Sequence, residues 1–267
     1  MYKISFMHVI YNNSKVAYRE AGQGDCLVLL HGFCEDSTMW ANFVSLLSKK
    51  YFILTIDLSG FGKSDLLKAH SIEAMSEAVY AVVKNSGVDS CVLTGHSMGG
   101  YVALAFAEKN IDKIKGFCLM NSTSLADDTE RKKLRIRANK LVQKNFKSMV
   151  QLSFTNLFSE QSRITYQDEM KAALNDALKT PVQGYIACQE GMIIRPNREP
   201  VLQQLSCKKL LILGRRDPVL DLEISLKEAK TNKLETILFD DGHMSHIENK
   251  NELTATLKKF ISSIKNN

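Results

Sequence analysis

The chain has 267 residues, 45% of them hydrophobic and 24% charged, and a net charge of +6. These are the proportions of a soluble globular protein, with length enough for one large α/β domain and a smaller insert. The charge is modest and no basic run is interleaved with aromatics, which argues against a nucleic-acid-binding role.

The six cysteines, Cys26, Cys34, Cys91, Cys118, Cys188 and Cys207, form no C-x-x-C pair, and several lie in apolar runs. They read as buried, reduced thiols and not as a disulfide or zinc framework. Residues 1–5 show no charged segment leading into an apolar one, and no apolar run reaches membrane-spanning length. The expected setting is cytoplasmic, with no membrane partner.

In chain order, two β-like segments at 3–9 and 15–20 flank a turn at Asn12-Asn13. The apolar run Cys26–Leu30 follows and ends at His31-Gly32. A helix carries Trp40, Phe43, Leu46 and Leu47 on one face, with Ser37 or Thr38 as its cap. Residues 52–56 form a buried strand. Ile72, Met75, Val79, Val82 and Val83 mark an amphipathic helix that stops near Gly87. The apolar run 90–93 then leads into Gly95-His96-Ser97-Met98-Gly99 and a helix rich in alanine, and residues 116–120 form the next strand. This alternation is the signature of a mostly parallel sheet, of about eight strands in all, covered by helices on both faces.

The alternation breaks after Asn121. Residues 124–205 read as wholly helical, with one face formed by Leu134, Ala138, Leu141 and Val142 and another by Met170, Ala173, Leu174 and Ala177. Thr180-Pro181 opens a further helix there. Strand and helix alternate again from 209–213 through a helix at 222–229 to a strand at 234–239. The final helix has Asn249 as its cap and Glu252 three residues on, a capping-box spacing. The expected organisation is a core made of 1–123 and 206–267, with a helical insert at 124–205.

Gly-x-Ser-x-Gly between a strand and a helix is the nucleophile elbow. Its glycines permit a tight bend, its serine hydroxyl is pushed out of the sheet, and the helix N-terminus favours developing negative charge there. A serine hydroxyl needs a base. His8 lies on an early edge strand, His70 in a polar loop, His31 beside a glycine at a strand end, and His96 next to the serine with its side chain expected to turn away. His243, after a strand and Gly242, lies at the carboxyl edge of the sheet where ligands bind. It is preferred to His246, which reads as a structural hydrogen-bonder.

Asp217 follows a buried strand and precedes the histidine in the chain, which makes it the expected orienting carboxylate. Asp127 and Asp128 are its rivals, with a bland role as the acidic start of a helix. Asp57 reads as the start of a glycine turn, Glu248 as the entry to the last helix and Asp241 as a loop solvator. The expected oxyanion donors are the backbone N–H groups of Phe33 and Met98. Cys34, beside them, has no base partner and reads as a bystander.

Taken together, these elements resemble the α/β-hydrolase fold over nearly the whole chain. His31-Gly32-Phe33 with Trp40 is similar to the family's oxyanion loop and first helix, and Asp57-Leu58-Ser59-Gly60-Phe61-Gly62-Lys63-Ser64 to its D-x-x-G-x-G-x-S turn. The elbow, the Asp217 turn and the Gly242-His243 loop follow in the family's order. Two prolines usual in similar proteins are replaced here, in the Ser206-Cys207-Lys208 stretch and at Lys250.

The resemblance implies a helical lid at 124–205 and a cofactor-free serine hydrolase of carboxylesterase type. Its substrate would be a small-molecule ester, and the protein either a monomer or a homodimer. The same triad in similar proteins also serves carbon–carbon hydrolysis, lactone hydrolysis, perhydrolysis or a lyase reaction, and a non-catalytic receptor can share the fold. Serine at 97 speaks against dehalogenases and epoxide hydrolases, which use aspartate there. Two lid features bear on substrate. Met149, Phe154, Phe158, Met170 and Met192 are candidates for an apolar pocket, and the basic run Arg131, Lys132, Lys133, Arg135, Arg137 and Lys140 reads first as a solvated helix face.

Overall fold

The structure, a computed structural model, describes residues 5–264. The first strand therefore appears from Ser5, and residues 3–4 of the expected segment lie outside the described residues. Strands β1 (Ser5–Tyr11) and β2 (Ser14–Ala21) form a hairpin in which Asn12 and Asn13 both take positive φ, 48° and 61°. A two-residue turn of this hand matches the twist of its strands, and asparagine tolerates it better than most residues.

The chain then runs through β3 (Cys26–Leu30), α1 (Ala41–Leu47), β4 (Phe52–Ile56), α2 (Ile72–Asn85), β5 (Cys91–His96), α3 (Met98–Lys109) and β6 (Ile114–Met120). Five helices follow: α4 (Thr129–Thr155), α5 (Glu160–Thr165), α6 (Gln167–Ala177), α7 (Val182–Ile194) and α8 (Glu199–Gln204). The closing elements are β7 (Lys208–Gly214), α9 (Leu222–Thr231), β8 (Glu235–Phe239), α10 (Ser245–Glu248) and α11 (Lys250–Ser262).

The eight strands make one sheet in the order β1-β2-β4-β3-β5-β6-β7-β8, antiparallel only where β2 meets β1 and β4. Residues of the inner strands alternate between two cores. Cys26, Val28 and Leu30 of β3 and Leu211 and Leu213 of β7 face the core beneath α2 and α3. Leu27, Leu29, Leu210 and Ile212 face the other, packed with Trp40, Phe43, Leu47, Leu253, Leu257 and Phe260. Because both faces are covered, these strands are apolar throughout and show no polar alternation.

Helices α4–α8 are not a detached unit. Val142, Val150, Phe154, Tyr185, Met192 and Leu202 belong to the same core cluster as α2 and α3. Helix α7 is seated on the Asp57–Ser64 turn, where Gly60 has φ +90° and a side chain at Gly184 would collide with the Gly60 carbonyl oxygen. That turn is tied down by Asp57, whose carboxylate accepts the N–H groups of Ser37 (2.9 Å) and Lys63 (2.9 Å).

Several local expectations are corrected. Asp36, not Ser37 or Thr38, caps the first helical turn, accepting the Thr38 N–H at 2.7 Å. The Asn249 side chain makes no cap bond to α11 and instead donates to Asp241 (3.1 Å). Pro181 occupies the N-cap of α7, so Thr180 does not. On α4, Leu134 and Leu141 are exposed, and the buried side carries Asn139, Val142, Val150 and Phe154. The cysteines are free and buried except Cys207, which is half-buried.

Candidate active site

Strand β5 delivers Ser97 at its carboxyl end, where the residue takes φ 49° and ψ −117° and stands at the N-cap of α3. A non-glycine residue there is strained and is held by its surroundings. The Ser97 N–H still bonds to the Met120 carbonyl (2.9 Å), which extends the sheet ladder past the strand, and Ser122 Oγ donates to the Ser97 carbonyl (2.7 Å). The flanking glycines leave no room for a side chain. A Cβ on Gly95 would land on the backbone of Gly99 and Gly100, and one on Gly99 would lie 2.5 Å from the His31 carbonyl oxygen.

The loops after β5, β7 and β8 bring Ser97, Asp217 and His243 together. His243 Nε2 lies 2.8 Å from Ser97 Oγ and His243 Nδ1 lies 2.7 Å from Asp217 Oδ2. With Nδ1–H donated to the carboxylate, Nε2 presents a lone pair to the serine hydroxyl. Asp217 is almost wholly buried, which by itself would raise its pKa. The adjacent His243, the Val219 N–H (2.8 Å) and the Asn121 amide (3.1 Å) outweigh burial and hold it below the usual carboxylate range.

Asn121 is a site residue that sequence reasoning missed. It takes φ 46°, and its amide donates to Asp217 and to the Gly242 carbonyl (3.3 Å) while accepting from Ser245 Oγ (2.7 Å). Phe33 and Met98 lie beside the serine's loop and helix, and no hydrogen bond among the described residues uses their N–H groups.

A family model for the α/β hydrolase fold matches residues 25–250. The chain belongs to the α/β hydrolase family. Among relatives of this hydrolase, 3-oxoadipate enol-lactonase 1 of Acinetobacter baylyi is 25% identical over 244 residues, 89% of each chain. A thermophilic esterase from Thermogutta terrifontis superposes with a TM-score of 0.91 at 26% identity, covering 98% of this chain and all of that one. The enol-lactonase of Burkholderia xenovorans, at 20% identity and a TM-score of 0.89 over 96% of this chain and 100% of its own, is similar in fold.

The histidines set aside in the sequence have definite places in the hydrolase. His8 is exposed on the edge strand β1. His31 shapes its loop, Nδ1–H donating to the Gly32 carbonyl (2.7 Å) and Nε2 accepting the Leu58 N–H (2.8 Å). His70 meets Cys188 Sγ at 3.0 Å, and burial pushes its pKa down to about 4.

His96 makes no hydrogen bond to Ser97, and its ring lies 5.2 Å from that of His243. Nδ1 lies 2.7 Å from Glu35 Oε2 and Nε2 lies 3.0 Å from the His243 carbonyl. Two acceptors on one imidazole call for both ring protons. Burial disfavours that charge, but Glu35 outweighs it and raises the His96 pKa. Glu35 itself would be pushed up by burial, yet His96 and His246 hold it at about 2. The expected solvent-facing Asp241 instead accepts from the Ser159 and Ser162 hydroxyls (3.3 Å each), and Glu248 accepts the N–H groups of Ser159, Gly242 and Met244.

Glu35, His96 and His246 also have donor atoms within 4.8 Å of one another, the convergence a metal would require. The bonds from Glu35 to His96 and to the Gly32 N–H, with His246 Nε2 3.3 Å from the other Glu35 oxygen, account for the arrangement as it stands. His246 is the weaker member. Its burial lowers its pKa from 6.5 to about 4, against the pull of Glu35. A base whose folded pKa is lowered stabilises the fold above its unfolded value and loses that contribution as pH falls through its folded one.

Denaturant titrations should therefore show stability declining between pH 6.5 and 4, by at most roughly 3 kcal/mol from this residue. Glu35 is silent over that window down to 4.5, where its own contribution starts to disappear, and His96 is silent, because its raised pKa acts above 6.5. His70, whose pKa burial likewise lowers to about 4, contributes in the same window, so His246→Phe should remove about half of the decline and His246→Phe with His70→Phe most of it. A slope that His246→Phe leaves wholly unchanged would mean that His246 does not contribute to it.

A cavity of about 220 Å³ opens over Ser97 and His243. Phe33, Tyr101, Phe154, Tyr185 and Met192 line it, with Cys34 at its edge. Burial raises the Cys34 thiol pKa, so it stays protonated and unreactive. Of the residues proposed for an apolar pocket, Phe154 and Met192 reach this cavity. No helix among the described residues is long and apolar enough to cross a membrane.

Proposed function

We propose that this protein is a serine hydrolase acting on a small carboxylic ester. The observation that carries the reading is the chain of contacts from Asp217 through His243 to Ser97, at 2.7 and 2.8 Å, with Ser97 in a strained left-handed conformation at a helix N-terminus. Ser97 Oγ attacks the ester carbonyl while its proton passes to His243 Nε2. The tetrahedral oxyanion is held by the N–H groups of Phe33 and Met98, each such donor being worth roughly 10²–10³ in kcat. Collapse breaks the C–O bond, the leaving oxygen takes the proton from His243, and water repeats the sequence on the acyl-enzyme. The triad and the two amides require no cofactor.

Helices within 124–205 act as the lid over this site, since Arg131, Val150, Phe154, Tyr185 and Met192 all line its cavity. At about 220 Å³ the cavity is smaller than the roughly 300–1,000 Å³ typical of pockets for drug-sized ligands, which favours a short substrate. The likeness to an esterase and to 3-oxoadipate enol-lactonase 1 supports ester or lactone cleavage, a lactone being an internal ester opened by the same steps. Six free cysteines fit a reducing cytoplasmic compartment.

The test is stoichiometric labelling. A fluorophosphonate should add one phosphonyl group, located at Ser97 by peptide mass mapping, and hydrolysis of short aryl esters should vanish in step. Full ester turnover by the unlabelled protein, with no label at Ser97, would remove the basis for this assignment.

A further inference from the structure

We propose that the Ser97 cavity takes an ester or lactone bearing a second, ionised carboxylate, held by Arg131 and Arg135. The inference rests on the hydrolase reading and names its substrate class. Helix α4 carries the basic run whose first reading is a solvated face. Lys133, Arg137 and Lys140 do face solvent, but Arg131 and Arg135, four residues apart and so on one side of the helix, line the cavity with Ser97 and His243.

Their charge is not balanced locally. Arg135, its side chain 14% exposed, bonds through Nε to Asp127 at 2.5 Å, and buried Arg195 bonds to the other Asp127 oxygen at 2.8 Å while its guanidinium lies 3.9 Å from the centre of the Tyr101 ring. One carboxylate therefore serves two guanidinium groups. Among the described residues no carboxylate pairs with Arg131, which donates to the Val219 carbonyl. Glu35, an acid that does line the cavity, is committed to His96 and the Gly32 N–H. Three arginines against Asp127 leave a positive excess beside a small cavity, where charges are screened less than in bulk water.

The neighbouring polar groups are turned to suit. Gln189 Oε1 accepts from Arg135 Nη1 (2.7 Å), and its amide donates to Tyr185 OH (3.3 Å), so the amide's orientation is set by the arginine. An entering carboxylate would meet fixed guanidinium donors on one wall and the serine nucleophile in the same cavity. Arginine is suited to this, being permanently charged and presenting paired donors to a carboxylate.

The competing account is structural. Arg131 holds the Val219 carbonyl, and the Val219 N–H bonds to Asp217, so Arg131 also braces the acid's turn. A ratio separates the two. Phenyl hydrogen glutarate and methyl phenyl glutarate release the same phenol and differ in one charge. With the uncatalysed rate subtracted, the wild-type protein should prefer the anionic ester in kcat/KM by about tenfold or more. Arg131→Gln should erase most of that preference and Arg131→Lys should keep part of it. A bracing role alone lowers both substrates together and leaves the ratio unchanged, which overturns the proposal. Arg131 carries the test because Arg135→Gln would also strip a partner from buried Asp127.

Calorimetric titration of glutarate into the Ser97→Ala variant supplies a readout that does not depend on turnover. Glutarate should bind there, and adding Arg131→Gln should weaken it about tenfold. Glutarate bound no more tightly than glutaramide overturns the anion site. Glutarate binding by a wild-type protein that hydrolyses no ester would instead overturn the hydrolase reading and leave the anion site standing.

Discussion

Ser97→Ala should lower kcat on an aryl ester by roughly 10⁶-fold and Asp217→Asn by about 10⁴-fold, while the double variant should be no slower than Ser97→Ala alone. The non-additivity follows from the geometry, because each group acts through the next. The asparagine result depends on which oxygen faces which donor. Asp217 Oδ1 accepts the N–H groups of Val219 (2.8 Å) and Leu220 (3.2 Å), so an asparagine must keep its oxygen there. Its NH₂ then falls at the position of Oδ2, which faces His243 Nδ1 (2.7 Å) and the Asn121 amide (3.1 Å). The imidazole has to accept at Nδ1 and carry its proton on Nε2, where it can no longer take one from Ser97. The fold should lose roughly 1–3 kcal/mol and still form, because the new NH₂ also faces the Asn121 amide, a donor against a donor. Steady-state kinetics on the three variants check this. A loss under tenfold in Asp217→Asn, or a double variant far slower than Ser97→Ala, would mean that Asp217 is not the orienting acid.

What could be read from the chain was whatever leaves a local mark. The strands of the sheet are short apolar runs bounded by turn residues, and Cys26–Leu30 and Phe52–Ile56 coincide with their expected limits. Ser97, Asp217 and His243 each follow such a run, so their convergence at one sheet edge was legible once the strands were ordered. The groups behind them were not. Glu35 meets His96 across 61 positions of sequence, and His96 meets the His243 carbonyl across 147. No periodicity encodes such pairings. Asn121 is a single residue after a strand, and only its left-handed φ and its three partners show its place.

Helix α4 misled for a different reason. Its apolar stripe through Leu134 and Leu141 is exposed, while the inward side of its first half carries Arg131, Arg135 and Asn139 ahead of Val142. The rule that apolar residues mark the buried face holds for helices packed on a core. It fails over the first turns of α4, where the helix lines the Ser97 cavity with Arg131 and Arg135.

Glu35→Gln is expected to cost the fold on the order of 3 kcal/mol and to lower kcat about tenfold with little change in KM. Oε2 of Glu35 alone takes two bonds, from the Gly32 N–H (2.7 Å) and from His96 Nδ1 (2.7 Å). Glutamine cannot reproduce this. With its oxygen at that point, it leaves a buried imidazolium without its counter-charge. With its nitrogen there, it sets a donor against the Gly32 N–H. Either choice loosens one of two loops that the reaction needs in register: Gly32 precedes Phe33, an expected oxyanion donor, and His96 Nε2 holds the carbonyl of His243 (3.0 Å). On the proposed mechanism Glu35 is a positioning residue, tying the loop of Phe33 to the loop of His243. Removing one partner of a buried ion pair is the costly change, because it strands the other's charge. Chemical denaturation reads the stability loss, and kcat corrected for the folded fraction reads the positioning. A variant that is less stable yet turns over at the full rate per folded molecule would reduce Glu35 to a structural role.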